Sequence, residues 1–147
     1  MGVWGVGSFE NDTAMDLVAE LAEVDGGATI LASTLHAIAS TGTDEVIDSD
    51  DAVEALVAAE FLAALKGSIS DNFPQQAQEW LEENDLLAGV NMISGPRKEK
   101  EKWLTEMALQ AIERIQAENS ELDELWRETD EHEEWLVALE DLKGRLT

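Results

Sequence analysis

Apolar residues recur every three or four positions along most of this chain, so it reads as helices throughout. Over Asp12 to Val24, Ala14, Leu17, Val18 and Leu21 share one side, opposite Asp16, Glu20 and Glu23. Asn11-Asp12 or Thr13-x-x-Asp16 supplies the N-cap, and Gly26-Gly27 ends the helix. A second helix is predicted over about Ala28 to Ser40, with Leu31, Thr34, Leu35 and Ile38 on one face and Thr29, Ser33, His36 and Ser40 on the other. Val46-Ile47 reads as a short extended piece. A third helix starts near Ser49-Asp50-Asp51, with acids at the positive end of its dipole, and runs to Lys66-Gly67.

Asn72-Phe73-Pro74 opens a short helix that carries Ala77, Trp80 and Leu81 inward, and Asn84 to Met92 allows another short turn. Ser94-Gly95-Pro96 is the clearest break. From Arg97 to Gln116 a long helix places Trp103, Leu104, Met107, Ala108, Ala111, Ile112 and Ile115 on a broad apolar side, with Leu109 elsewhere, and is expected to be central. The last helix is expected from Asn119-Ser120, where Ser120-x-x-Asp123 resembles a capping box. Leu122, Leu125, Thr129, His132, Leu136 and Leu139 follow a 3-4 spacing like a coiled-coil seam. The expected fold is all-α: one compact domain over 1–147 with five to seven helices. It divides into an N-terminal anchoring segment (1–11), N-terminal helices (12–93) and two long C-terminal helices (97–143).

The anchoring segment carries three glycines and the aromatics Trp4 and Phe9. Glycine lets the backbone turn tightly, so both rings are expected to fold back onto the core. The pattern Trp4-Gly5-x-Gly7-x-Phe9-x-Asn11-Asp12-x-Ala14 resembles the opening of a bacterial family, domain of unknown function 4259. Phe73-Pro74-x-x-x-x-x-Trp80, Ala111-Ile112-Glu113-Arg114-Ile115 and Asn119-Ser120-Glu121-Leu122-x-Glu124-Leu125-Trp126 look like its later blocks, in order. The family has no established activity, so the resemblance implies none here.

Composition changes the picture through charge. With 33 acidic against 9 basic residues, the formal charge is -24. That excludes general nucleic-acid binding, steers basic partners inward and keeps a protein soluble. Apolar residues make up 44%, too many for a disordered acidic tail. The absence of cysteine excludes disulfides and thiol catalysis and points to a reducing cytoplasm. No signal peptide is read at the N-terminus, and Val6 stands where a myristoylation motif wants Ser or Thr. Gly26 to Thr43 is too broken by polar residues for a membrane span.

The motifs of common chemistries are absent. Gly5-Val6-Gly7 lacks the third Rossmann glycine and a Walker lysine. His132-Glu133 lacks the second zincin histidine, position 136 being Leu136, and Asp48-Ser49-Asp50-Asp51 lacks the EF-hand glycine and terminal glutamate. No G-x-S-x-G elbow is present. No cofactor and no metal site is expected.

Two charge features remain. Glu60 interrupts the apolar stripe Val53, Leu56, Val57, Phe61 and Ala64, and a buried carboxylate needs a partner. Arg114 is the expected partner, in an ion pair that fixes helix register. From Glu118 to Glu134, Glu121, Asp123, Glu124, Glu128, Asp130, Glu131, Glu133 and Glu134 form an acidic ridge with Arg127 as its sole base. Trp126 is read as structural, with Trp4, Phe9, Glu60 and Arg114. The leading expectation is a non-enzymatic module that binds a basic protein through the ridge. The alternatives are an enzyme or small-ligand binder with a pocket near Glu60 and Arg114, and a homo-oligomer built on the C-terminal seam.

Overall fold

Alanines decide how this chain packs. Ala52, Ala55, Ala58, Ala59 and Ala63 lie on every side of one helix, and all are buried. Small side chains let neighbouring helices approach from any direction. The structure, a computed structural model, describes residues 3–147. Its helices are α1 (Asp12–Leu21), α2 (Gly27–Ala39), α3 (Ser49–Leu65), α4 (Gln75–Glu83), α5 (Arg97–Ile115), α6 (Glu121–Arg127) and α7 (His132–Leu146), with a 3-10 turn at Leu86–Gly89 between α4 and α5. Among the described residues there is no strand, and the fold is all-α. No helix among them is long and apolar enough to cross a membrane.

The alanine-rich helix α3 is the central one, packed against each of the other six. This corrects the expectation that the long α5 is central. A helix covered on all sides has no polar face, so its apolar residues trace no stripe. On α5 the buried residues Leu104, Ala108, Ala111, Ile112 and Ile115 share one side, while Trp103, Met107 and Leu109 are only partly buried.

Local chemistry sets the boundaries. Asn11 caps α1, its Oδ1 accepting the Ala14 N–H at 2.8 Å. Asp48 caps α3 through Asp50 N–H at 3.1 Å, and Ser120 Oγ accepts Asp123 N–H at 3.4 Å, as the capping box predicts. The single last helix is corrected to two, α6 and α7. The Thr129 hydroxyl donates to Trp126 O at 2.7 Å and accepts Glu131 N–H at 3.1 Å, closing a turn that competes with the helix. The seam is therefore interrupted: Leu122 and Leu139 are buried, but Leu125 is 47% exposed.

The N-terminal segment is held by its backbone. Trp4 N–H donates to Glu10 O at 3.0 Å, and Gly7 N–H donates to the Glu10 carboxylate at 3.0 Å. A Cβ on Gly5 or Gly7 would run into that carboxylate and displace it from its place in the loop. Phe9 is buried, meeting Phe73 edge-on at 5.3 Å and Phe61 at 6.4 Å. Trp4 departs from expectation, being 59% exposed: its amide anchors the segment and its ring does not.

Arg114 also departs from expectation. It is buried, yet its guanidinium meets no carboxylate. Instead it donates to backbone carbonyls of Thr41 (2.9 Å), Gly42 (3.0 Å) and Glu45 (2.6 Å) before α3, and to Glu118 (2.7 Å) before α6. The same two loops pair directly, Ile47 N–H donating to Asn119 O at 2.9 Å and Glu121 N–H to Ile47 O at 3.0 Å. The extended piece at Val46-Ile47 is thus real, and Arg114 is the clamp behind it.

Arg114→Lys should destabilise the fold by about 3 kcal/mol, because an ammonium cannot span carbonyls from two loops and unsatisfied acceptors each cost roughly 1–3 kcal/mol. Denaturant titration checks this; a loss under about 1 kcal/mol would show the clamp to be dispensable.

Candidate functional site

Glu60 lies on α3, 3% exposed, and its carboxylate is fully engaged. Arg145 on α7 grips it with two nitrogens, Nη1 to Oε1 at 2.7 Å and Nη2 to Oε2 at 3.1 Å. Ser8 Oγ donates to Oε2 at 2.8 Å. Glu60 and the Asp141 carboxylate, which accepts from Arg145 Nε at 2.8 Å, together raise the guanidinium above its ordinary pKa, the Glu60 hydrogen bond being the larger cause. The expected Glu60–Arg114 pair is therefore replaced by Glu60–Arg145. Arg114 is engaged with the loops, while Glu60 borders a groove of about 300 Å³ with Ser8, Asp141 and Arg145. Arg145 escaped the sequence reading because it sits at the chain's last turn, where a base is ordinarily a dipole cap.

The acidic ridge divides once folded. Asp123 is 5% exposed, between Arg127 Nε at 2.7 Å and His132 Nε2 at 2.9 Å, so it faces inward. Glu121 is partly buried and accepts Ser49 N–H at 3.1 Å. Hydrogen bonds from the Ser49 side chain, then from its backbone, hold this carboxyl below the usual range. Glu124, Glu128, Asp130, Glu131, Glu133 and Glu134 stay exposed. Trp126 stacks on the buried Trp135 at 6.2 Å with rings 16° apart.

A second acidic face, read from sequence only as a helix start, lies at the beginning of α3. A groove of about 330 Å³ there has Glu45, Asp48, Asp51 and Glu54 as its charged lining, beside Val46, which is 68% exposed. Burial first, then Asp51, Glu20, Asp50 and Asp48, push the Glu54 carboxyl above its ordinary pKa. The signal was available: Asp50 and Asp51 stand four and three residues before Glu54, with no base nearby in sequence.

The scarce bases explain why these faces go unneutralised. Arg145, Arg127, Arg97 and Lys143 each pair with a carboxylate close by. Lys66 donates to Thr105 Oγ1 and to Leu146 O, and Arg114 serves the loops. Lys98, Lys100 and Lys102 sit together at the start of α5. Among the described residues no group of three or more potential ligands is placed to hold a metal ion.

A family model described as a domain of unknown function (DUF4259) matches residues 2–138. No curated protein and no solved structure matches the chain.

Two outcomes follow from the charges. Glu54→Gln should raise the melting temperature at neutral pH, since a carboxyl with a raised folded pKa costs stability wherever it is ionised. The gain should shrink as pH falls through the folded pKa, and also in high salt. Parallel melts of both proteins across pH would refute this if Glu54→Gln were the less stable at pH 7. Arg145→Ala should cost about 3–5 kcal/mol by stranding a buried carboxylate, and the Glu60→Leu/Arg145→Leu pair much less. Denaturant titration that ranked the double variant below Arg145→Ala would contradict the strand-and-desolvate account.

Proposed function

The chain belongs to the DUF4259 family, whose description assigns no activity, and we propose that it is a non-enzymatic module that binds a basic protein. The carrying observation is the exposed row Glu124, Glu128, Asp130, Glu131, Glu133 and Glu134, whose one local base, Arg127, is already committed to Asp123. Like charges held this close repel, so a partner that brings Lys or Arg relieves a standing cost as it binds. The groove at the start of α3 adds a second carboxylate face with an exposed valine, the mixture of rim charge and apolar contact that protein interfaces use. An immunity or inhibitor protein that masks a nucleic-acid-processing enzyme is the concrete form of this reading, with the carboxylate rows standing in for backbone phosphates. A bacterial, cytoplasmic setting fits the family's opening motif and a chain without cysteine. The homo-oligomer reading loses its main support, because the turn at Thr129 breaks the seam it relied on.

The test compares the native protein with a Glu124→Gln/Glu128→Gln/Glu131→Gln/Glu134→Gln variant as bait. Glu121 and Asp123 are left alone because they hold the fold. A basic protein retained by the native bait, released between about 0.1 and 1 M salt as the Debye length falls from about 10 to about 3 Å, and lost by the variant is the expected result. Equal recovery by both baits, or retention indifferent to salt, would overturn the proposal.

A further inference from the structure

Beside the N-terminal loop lies an open cavity of about 180 Å³, lined by that loop, the start of α1, α3, α6 and α7. Its floor is apolar, made by Leu56, Leu122, Leu139 and the buried Trp135. Trp126, stacked on Trp135, forms a partly exposed aromatic wall. Its charged lining is Asp12 and Asp50, both exposed, and no basic side chain reaches it. Thr13 Oγ1 holds Asp50 by Oδ1 at 3.1 Å, and among the described residues no donor engages Oδ2.

We propose that this cavity binds a small organic ammonium, a cation with a compact apolar body no larger than a phenylethyl group. Each part of the lining points to one part of that ligand. The leucines and Trp135 take an apolar body, as ligand pockets between helices do. An indole face attracts a cation most strongly among the aromatic side chains. The free Asp50 oxygen and Asp12 complete the pairing, and no local base competes. An anion of the same shape meets two carboxylates and is rejected. This site shares no lining residue with the acidic row of Glu124, Glu128, Asp130, Glu131, Glu133 and Glu134 or with the α3 groove, and it stands whether or not a basic protein binds there.

Calorimetric titration at physiological salt, which suppresses diffuse attraction to the acidic surface, decides the matter. The probes are phenethylammonium, 2-phenylethanol and 3-phenylpropionate. The ammonium should bind saturably at one site, the alcohol about tenfold more weakly, and the carboxylate not at all. Ala138→Phe, which fills the cavity without changing charge, should abolish binding; Asp50→Asn should weaken it about tenfold. Glu82→Gln/Glu83→Gln on α4, which removes the same kind of charge from an exposed face outside the cavity, should leave it unchanged. Undiminished binding to a folded Ala138→Phe variant, equal binding of the carboxylate, or no saturable heat would each overturn the proposal. Where Ala138→Phe fails to melt cooperatively, the contrast between Asp50→Asn and the control decides alone: equal affinities refute the site.

Discussion

A carboxylate in the middle of an all-round buried helix is the constraint on which the rest of this structure turns. Glu60 is almost wholly withdrawn from water, so its two oxygens need partners, and the groups that meet it come from opposite ends of the chain. Arg145 arrives from the last turn of α7 and Ser8 from the loop before α1. The pair need not add net stability, since desolvating two charges consumes most of their attraction. What it does is make alternatives costly: a core closed without α7, or without the N-terminal loop, strands an ion. Phe9 then packs on Phe61, one residue along α3, so the polar lock and the apolar contact fix the same loop.

The same scarcity of bases governs inside and outside. The arginines that the fold cannot spare are Arg145 for Glu60, Arg114 for two loops and Arg127 for Asp123. Spending them internally leaves the helix faces around α6 and the start of α3 almost purely acidic. The Glu54 carboxyl is pushed above its ordinary pKa first by burial and then by the charges of Asp51, Glu20, Asp50 and Asp48. A surface arranged this way tolerates a cost that ordinary i,i+4 pairing with lysine would remove. The acids at the beginning of α3 recover part of it from the helix dipole, as do Glu131, Glu133 and Glu134 at the start of α7; Glu128, at the C-cap of α6, stands at the unfavourable end.

Much of this was legible before folding. Apolar spacing located five of the seven helices to within a few residues and ran α6 and α7 together, while cap residues such as Asn11 and Ser120 marked where helices start. It missed the turn at Thr129, where a hydroxyl's bonds to its neighbours outweigh a seam that spacing alone continues. It mistook α5 for the centre because periodicity reports a polar face, and α3 has none. Glu60 was recognised as an ion in the core, but its partner was not. Partner choice depends on which helix end arrives beside it, and both Arg114 and Arg145 carry the right charge. Trp4 failed for another reason: a ring's value in burial says nothing when the backbone alone anchors the segment.

The glycine loop joins the lock to the cavity. Gly7 and Ser8 border the apolar cavity on one side and the Glu60–Arg145 pair on the other, with Ala138 shared between them. Glu10 fills the space that side chains at Gly5 and Gly7 would take, so the loop is pinned from within by its own carboxylate. A loop fixed by that carboxylate, by the Trp4 amide and by Ser8 on Glu60 can hold a cavity open without collapsing into it. Preorganisation of this kind lowers the ordering cost of whatever enters. Arg145 is held by two carboxylates, and it is absent from the lining. The arrangement that satisfies the Glu60–Arg145 pair therefore also leaves the cavity's carboxylates uncompensated, and this asymmetry is what a cationic ligand would read.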